Sequence, residues 1–351
     1  MAKKKKYRLK PGVKKLLILI GIIILVILIL PKNKTKSAID NVFKDVVYTK
    51  EEFYKVDKIY IPLNGKIDLS QYKYKLEDDI LVEDNNILIG NKVGNTKIKI
   101  TKDNKYDELE IIVTDIISNY QINNKKYLTC DKYSKEDEVL LEDILENQVE
   151  LYGYKTRAGV VQAARFLSLE FKEKLQYFYE NGRMSGKMDF CDGEGRYLHK
   201  GLYLSKDDYK DLKQSRQGPA IWGCPMYEET RKTNIANGLD CSGFVTWAMF
   251  NAGYDIPDYG AADLFKLGTK KEFTNDDVWK EIKVGDLVGR NGHVGILIGL
   301  KDDKYYIAEA LDYDLHILVY TKEDLMKSEL KFFVLMDDYY KEDGVLNNYW
   351  N

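Results

Sequence analysis

Two residues of the sequence, Cys241 and His293, have the types and the surroundings that nucleophilic catalysis requires. Cys241 lies in GLDCSGFVTWAMFNAG, where apolar residues recur at helical spacing from Phe244 onwards and Gly253 stands where a helix would end. The cysteine is therefore predicted at or near a helix amino terminus. There, unpaired backbone N–H groups and the positive end of the helix dipole favour a thiolate, lowering a pKa that is about 8.5 in a free cysteine. The same N–H groups can stabilise the oxyanion that forms when a carbonyl is attacked.

His293 follows 52 residues later, in VGDLVGRNGHVGILIGL, whose alternating apolar residues predict a β-strand. The histidine is at the predicted start of that strand, on a rigid scaffold that can hold it against a cysteine at a helix end. A Cys–His pair activates the nucleophile, and the protonated imidazole then delivers its proton to the leaving amine. A cysteine alone would be weaker evidence, because a single cysteine on an apolar helix is more often a small buried side chain.

Taken together, the two motifs resemble the NlpC-type cysteine peptidases, papain-like enzymes that cleave bacterial cell-wall peptides. The resemblance rests on DCSGF at 240–244, GDLV and GHVGILIG within 285–299, and PAIWGC at 219–224, which stand in the family's order and approximate spacing. It covers roughly residues 215–340. It implies an α+β papain-like domain whose cysteine-bearing helix packs on an antiparallel sheet. It also implies hydrolysis of peptidoglycan stem peptides, most often between D-γ-glutamate and the diamino acid.

The resemblance implies a role for each matching residue of the catalytic set. Cys241 is the expected nucleophile, and His293 is the expected general base and acid. In the family a third, polar residue on the strand after the histidine orients the imidazole. Glu309 is the best match here because a carboxylate can accept the imidazole N–H, and Asp312 and His316 are the alternatives.

A substrate subsite beside the nucleophile is also implied. Asp240 and Ser242 flank Cys241 and match positions that help to shape the subsite for the free amine of the stem peptide, and Trp222 belongs to the preceding Trp-Gly turn. Ala220 is a departure from the family, whose members usually carry a tyrosine there that contributes to substrate recognition. That departure puts a preference for a free amino terminus in question. The chemistry needs no metal and no organic cofactor, so none is predicted.

The charges of the chain are unevenly distributed. Its 351 residues have a formal net charge of −2, but residues 1–15 carry eight positive side chains and no acidic one, and the other 336 residues carry 46 basic against 56 acidic groups. From Leu16 to Leu30 every residue is Leu, Ile, Val or Gly, after which Pro31 ends the run. A basic head before an apolar segment predicts a membrane signal anchor, with the head in the cytoplasm and the rest of the chain outside.

The apolar segment is short for a membrane span. Fifteen residues make a helix of about 22 Å against a hydrocarbon core of roughly 30 Å, and the stems of Lys14, Lys15 and Lys32 can extend it. A cleaved secretory signal is the main alternative and a buried core strand the other, but after Leu30 only Ser37-Ala38 offers a weak cleavage site. We therefore expect a single-pass protein of the cell membrane whose catalytic domain is extracellular and faces the cell wall.

Between the anchor and the catalytic region the pattern changes from strands to helices. From about residue 55 to 114, short alternating segments between Asn-Gly and Gly-Asn turns predict a small all-β sandwich, and DNNILIGNKVGNTKIKI resembles part of bacterial immunoglobulin-like domains. A near capping box at Ser134 predicts the start of one helix, and residues 157–171 predict a second. The predicted segments are a cytoplasmic basic segment (1–15), a transmembrane signal anchor (16–30), a linker (31–54), an immunoglobulin-like β domain (55–115), a second linker (116–133), a helical and loop extension of the catalytic domain (134–214), the NlpC-type domain (215–340) and a tail (341–351).

The cysteine count and the composition exclude several classes of protein. Cys130, Cys191, Cys224 and Cys241 are too few and too scattered to predict a disulfide framework, and no Cys-x-x-Cys pair indicates a zinc or redox site. Cys224 is expected to be a packed thiol. With 44% hydrophobic and 31% charged residues, the composition is typical of folded domains and not of disordered or collagen-like chains.

The sequence therefore predicts a membrane-anchored peptidoglycan endopeptidase that forms a Cys–His acyl-enzyme. Its expected partners are peptidoglycan stem peptides and, through the amino-terminal helix, the cell membrane; no nucleic acid is expected. Two alternatives stay open. An N-acetylmuramoyl-L-alanine amidase would apply the same chemistry to another bond, as related papain-like domains do. A non-catalytic wall-binding or adhesion protein would use the β domain and carry a degenerate papain-like fold.

Overall fold

The computed structural model describes residues 49–50, 56–122, 124–179, 222–228, 231–257 and 259–346. The predicted basic segment and signal anchor lie outside these residues. Within the described ranges, no helix is both long enough and apolar enough to cross a membrane. The described residues divide into two compact units. The larger lies within residues 54–71, 75–98 and 108–351, and the smaller within 1–53, 72–74 and 99–107.

The amino-terminal strands form two small sheets. One has the order β1-β7-β2 with β6 paired to β7, and the other has the order β3-β5-β4. Alternate residues of β6 and β7 are buried, the pattern expected of strands with one face on a core. The segment consists of strands and turns, as predicted. That these strands form a sandwich domain, and that it is like immunoglobulin-like domains, stay predictions. The strands are β1 (Thr49–Lys50), β2 (Lys58–Pro62), β3 (Lys66–Asp68), β4 (Leu81–Asp84), β5 (Ile87–Gly90), β6 (Gly94–Lys102) and β7 (Lys105–Thr114).

Two helices follow, and both predictions are confirmed. α1 (Lys135–Tyr152) starts with a full capping box, in which the Ser134 hydroxyl accepts from the Asp137 N–H and the Asp137 carboxylate accepts from the Ser134 N–H, each at 3.1 Å. α2 (Arg157–Arg165) continues directly into a π-helical turn, Phe166–Glu170. The second helical segment therefore ends one residue before the predicted end, with a different hydrogen-bond pattern in its last five residues.

The carboxy-terminal half is built on a six-stranded antiparallel sheet of order β10-β15-β11-β12-β13-β14. A separate hairpin, β8 (Pro225–Glu228) with β9 (Thr233–Ala236), precedes it. The sheet strands are β10 (Thr269–Glu272), β11 (Leu287–Arg290), β12 (His293–Lys301), β13 (Lys304–Leu311), β14 (Asp314–Tyr320) and β15 (Phe332–Leu335). The helices of this half are α3 (Cys241–Asn251), α4 (Ala261–Leu264), α5 (Val278–Glu281) and α6 (Lys322–Lys327).

Apolar side chains cover both faces of the central strand β12. Ile296 and Ile298 point into the larger core, which α2 and α3 complete, while Leu297 points into a second core with Val278 of α5 and Leu325 of α6. This is why β12 is buried over its first seven residues. The predicted α+β arrangement of a cysteine-bearing helix on an antiparallel sheet is confirmed.

The segment 116–133, predicted as a linker, is tied to the catalytic region. Ile117 and Leu128 are buried, and Ile117 forms a β-bridge with Phe171. Cys130 forms a disulfide with Cys224, which corrects the expectation that Cys224 is a packed thiol. The pairing could not be predicted because 94 residues separate the two cysteines in sequence and no spacing motif links them.

We expect this disulfide to stabilise the folded chain, because it closes a loop across a sequence separation of 94 residues. A crosslink of this kind contributes about 2–4 kcal/mol to the free energy of unfolding. A Cys130→Ala/Cys224→Ala double variant should lose about that amount in urea unfolding. Dithiothreitol should destabilise the wild type to a similar extent and leave the double variant unchanged; equal stability of the variant and the oxidised wild type would contradict this.

Candidate active site

Cys241 is the first residue of α3, as predicted, and Asp240 is the N-cap of that helix. The Asp240 carboxylate accepts a hydrogen bond from the Gly243 N–H at 2.7 Å and another from the Ser242 hydroxyl at 3.1 Å. Such a cap satisfies one of the unpaired donors at a helix start. Asp240 and Ser242, predicted to shape the substrate subsite, thus bond to each other and to the helix that carries the nucleophile.

His293 is the first residue of β12, also as predicted. It follows a two-residue turn in which Gly292 has a φ of 75°, and Arg290 pairs with His293 across the hairpin. The imidazole is buried, with 2% of the residue exposed. The backbone N–H groups of Ser242 and Val294 act on the Cys241 sulfur and favour its thiolate form, so the thiol lies near the start of the histidine strand.

The third predicted residue, Glu309, contacts the histidine directly. Its Oε2 is 2.9 Å from His293 Nε2, and the glutamate is 1% exposed. Burial alone would raise the pKa of Glu309, but hydrogen bonds from His293 and His316 hold it at about 2. The carboxylate is therefore ionised at neutral pH. Asp312 lies instead at the β13–β14 turn, and His316 reaches the other oxygen of Glu309.

The Cys241 pKa differs from the sequence expectation. Burial raises it, and so does the negative charge of Asp240, so the pKa is about 12 in spite of the opposing backbone hydrogen bonds. The expected thiolate stabilisation is wrong for this resting structure because burial of the sulfur, together with the anionic Asp240 cap, outweighs the positive end of the helix dipole. The sulfur is a neutral thiol at neutral pH, and its activation requires a base.

Residues 222–328 match the model of the NlpC/P60 family, and this range contains Cys241, His293 and Glu309. This part of the chain is an NlpC/P60 domain. Among solved structures, a mutated form of the Resuscitation Promoting Factor Interacting protein RipA is similar at 19% identity and a TM-score of 0.22. The similarity covers 35% of this chain and 51% of that one, so the chain spans about half of that structure's length. No curated protein matches the chain.

Tyr177 lies beside the nucleophile of the NlpC/P60 domain although no sequence pattern indicated it. Its backbone forms a β-bridge with Leu239, two residues before Cys241. Burial raises the pKa of Tyr177, and the negative charge of Asp240 raises it further. The Arg231 guanidinium lies 5.7 Å from the centre of the tyrosine ring. No local signal could find this residue, because the bridge joins segments that are far apart in sequence.

Trp222, the third residue predicted to bind substrate, packs inside the NlpC/P60 domain. Its ring centroid is 6.0 Å from that of Trp247, and the residue is 1% exposed. Ala220 lies outside the described residues. In the described part of the chain, the cluster of potential metal ligands is Cys130, Asp131 and Cys224, whose two sulfurs are joined in the disulfide.

Asp240→Asn should lower the pKa of Cys241, because it removes a negative charge from beside the sulfur and keeps a side chain that can still cap α3. Each unit of lowering increases the thiolate fraction about tenfold. The expected result is faster iodoacetamide alkylation of Cys241 across the neutral to alkaline range, measured by mass spectrometry of the peptide that contains it.

Asp255→Asn, an exposed position just beyond the carboxy-terminal end of α3, is the matched control and should alkylate like the wild type. If Asp240→Asn alkylates no faster than this control, Asp240 does not set the ionisation of the thiol.

Proposed function

We propose that the chain is a peptidoglycan endopeptidase that hydrolyses stem-peptide bonds, between D-γ-glutamate and the diamino acid, through an acyl-enzyme on Cys241. The observation that supports this best is the buried pair of His293 and Glu309 beside a cysteine at a helix start, inside a domain that matches the NlpC/P60 family. Members of that family are cell-wall hydrolases, which makes peptidoglycan the natural substrate class.

In this proposal the resting thiol is neutral and His293 acts first as a base. The imidazole removes the thiol proton as the Cys241 sulfur attacks the carbonyl carbon of the substrate. Because His293 Nε2 is hydrogen-bonded to Glu309, His293 Nδ1 is the nitrogen that exchanges the proton with the thiol. The Glu309 carboxylate stabilises the imidazolium that forms, and backbone N–H groups at the start of α3 stabilise the oxyanion.

The second half of the cycle returns the proton. The imidazolium protonates the amine nitrogen as the carbon–nitrogen bond breaks, which leaves a thioester on Cys241. Water then attacks the thioester carbonyl while His293 accepts a proton from it. The carbon–sulfur bond then breaks, the carboxylic acid product leaves, and the Cys241 thiolate takes that proton from His293, so the enzyme returns to its neutral resting state.

We also propose that residues 16–30 anchor the chain in the cell membrane and that the NlpC/P60 domain lies outside the cell. The basic head and apolar run of the first 30 residues support this orientation. The Cys130–Cys224 disulfide supports it independently, because disulfides persist mainly in oxidising compartments outside the cytoplasm.

Purified full-length protein should release peptides from purified peptidoglycan, with one new free amine on the diamino acid for each bond cut. Cys241→Ala should release none, because it removes the sulfur that forms the acyl-enzyme. Glu323→Gln, an exposed position on α6, is a control that should keep wild-type activity. Fragments are identified by mass spectrometry. Lysis by Cys241→Ala would end the enzymatic proposal, and new muramic-acid ends without new diamino-acid amines would make the chain an amidase.

The wild-type chain should fractionate with membranes after a carbonate wash and keep residues 1–30 by intact-mass measurement. Ile24→Lys with Ile27→Lys should lose membrane association, since each central charge costs about 3 kcal/mol in a membrane helix. Ile24→Val with Ile27→Val is the matched control. Protease added outside protoplasts should degrade the wild-type NlpC/P60 domain. Release of a shortened chain into the medium would show a cleaved signal instead of an anchor.

A further inference from the structure

A line of ionisable side chains continues from Glu309 away from the catalytic histidine. His316 lies directly opposite Glu309 across the pairing of β13 and β14. Its Nε2 is 3.5 Å from Glu309 Oε1, and its Nδ1 is 3.0 Å from Asp314 Oδ1. Both nitrogens of one imidazole therefore face carboxylate oxygens. A neutral imidazole has one N–H and can donate to one of them, whereas an imidazolium donates to both.

The position of His316 gives the buried Glu309 carboxylate a donor for its second oxygen. Its Oε2 is bonded to His293, and its Oε1 faces His316, while the residue itself is 1% exposed. Without a donor at Oε1, that oxygen would be buried with no hydrogen-bond partner, which costs free energy. Rotation of the carboxylate or its protonation would remove this cost. Either change would disturb the oxygen that holds the catalytic imidazole.

Asp314 is held in turn by residues that precede the NlpC/P60 domain. The Tyr127 hydroxyl donates to Asp314 Oδ2 at 2.7 Å, and the Lys174 ammonium lies 3.2 Å from the same oxygen. Both donors come from outside the family match at 222–328. The two upstream residues thereby fix the carboxylate that faces His316 Nδ1.

The charge state of His316 follows from these neighbours. Burial lowers its pKa, but hydrogen bonds and charge attraction from Asp314 and Glu309 raise it to about 9. Among the described residues, His293 and Tyr320 also act on Glu309, and Tyr127 and Lys174 act on Asp314. His316 is thus a cation below about pH 9 and becomes neutral above it, losing one of its two donors.

We propose that His316 is a positioning residue, which as an imidazolium bridges Asp314 and Glu309 and keeps Glu309 Oε2 on the catalytic histidine. Through Asp314 it makes Tyr127 and Lys174 part of the support of the active site. The effect of His316 on catalysis rests on the proposed endopeptidase function, whereas the positive charge of His316 does not depend on that function.

The kinetic test compares His316→Gln, His316→Lys and Val319→Thr in the full-length protein with a soluble stem peptide as substrate. His316→Gln should lower kcat about 10- to 100-fold, the size expected from a misplaced group near the reacting atoms, and leave KM within about twofold. His316→Lys keeps a cation and should recover part of kcat. Val319→Thr, at an exposed position on the same strand, should match the wild type.

The pH profile separates positioning from a purely structural role. Wild-type kcat should fall as pH rises through about 9, where His316 loses its proton, and this fall should be absent in His316→Gln. The proposal is overturned if a folded His316→Gln variant has the same kcat as the wild type and its kcat falls in the same way as the pH rises through about 9.

A measurement that does not need activity keeps the charge state testable. The chain has three histidines, so ¹⁵N-histidine labelling gives few ring signals. One of them should show a fully protonated ring at about pH 8 in the wild type and disappear in His316→Gln. If no ring is protonated at that pH in the wild type, the proposal fails. This result needs only the wild-type protein, so it decides the matter even if the variants do not fold. If the ring is protonated but the wild type cuts no stem peptide, the endopeptidase function fails and the bridging cation stands.

Discussion

The hydrogen bond between His293 Nε2 and Glu309 Oε2 is the contact on which the rest of the site depends. It places an ionised carboxylate and an imidazole together where almost no water reaches either group. A buried carboxylate is tolerated only when its oxygens have donors, so the second oxygen needs a partner as well. That need extends from Glu309 to His316 and Asp314 and then to the segment before the NlpC/P60 domain.

Strand register decides whether this contact exists. Glu309 stands opposite His316 in the β13–β14 pairing, and β12 pairs with β13 around an irregularity between Leu297 and Gly299. Glu309 lies on the same face of β13 as Ile307, whereas Ala308 and Ala310 face the larger core. A slip of one residue would therefore turn Glu309 to the other face of the sheet, into that larger apolar core. The Arg165 side chain donates twice to the Ile298 carbonyl, at 2.9 and 2.7 Å, beside that irregularity. A buried guanidinium from α2 thus supports β12 at the point where the register shifts.

The helix start that carries the nucleophile combines two opposing electrostatic effects. Asp240 stabilises α3 by capping it, yet its charge, with burial, keeps Cys241 in the thiol form. Because the resting thiol is neutral, His293, supported by the Glu309 carboxylate, must remove its proton before or during the attack. It also links the two halves of the site, because a disturbance of Glu309 would reach the sulfur through the imidazole.

The sequence by itself determined the local features of this protein. The start of the cysteine helix, the start of the histidine strand and the Ser134 capping box were all predictable, because caps, turns and hydrophobic periodicity act over a few residues. The NlpC-type resemblance pointed to Glu309 as the carboxylate for His293 for the same reason, since consecutive antiparallel strands keep their neighbours close.

The contacts that only the tertiary structure decided join residues far apart in sequence, or depend on burial. The Cys130–Cys224 disulfide, the approach of Tyr177 to the nucleophile and the support of Asp314 by Tyr127 have no local signal. The raised pKa of Cys241 was missed because burial, the largest influence on it, exists only after α3 has packed on β12. Periodicity places a side chain on a helix or a strand, but the solvent and the charges around it are set by the packing of the whole domain.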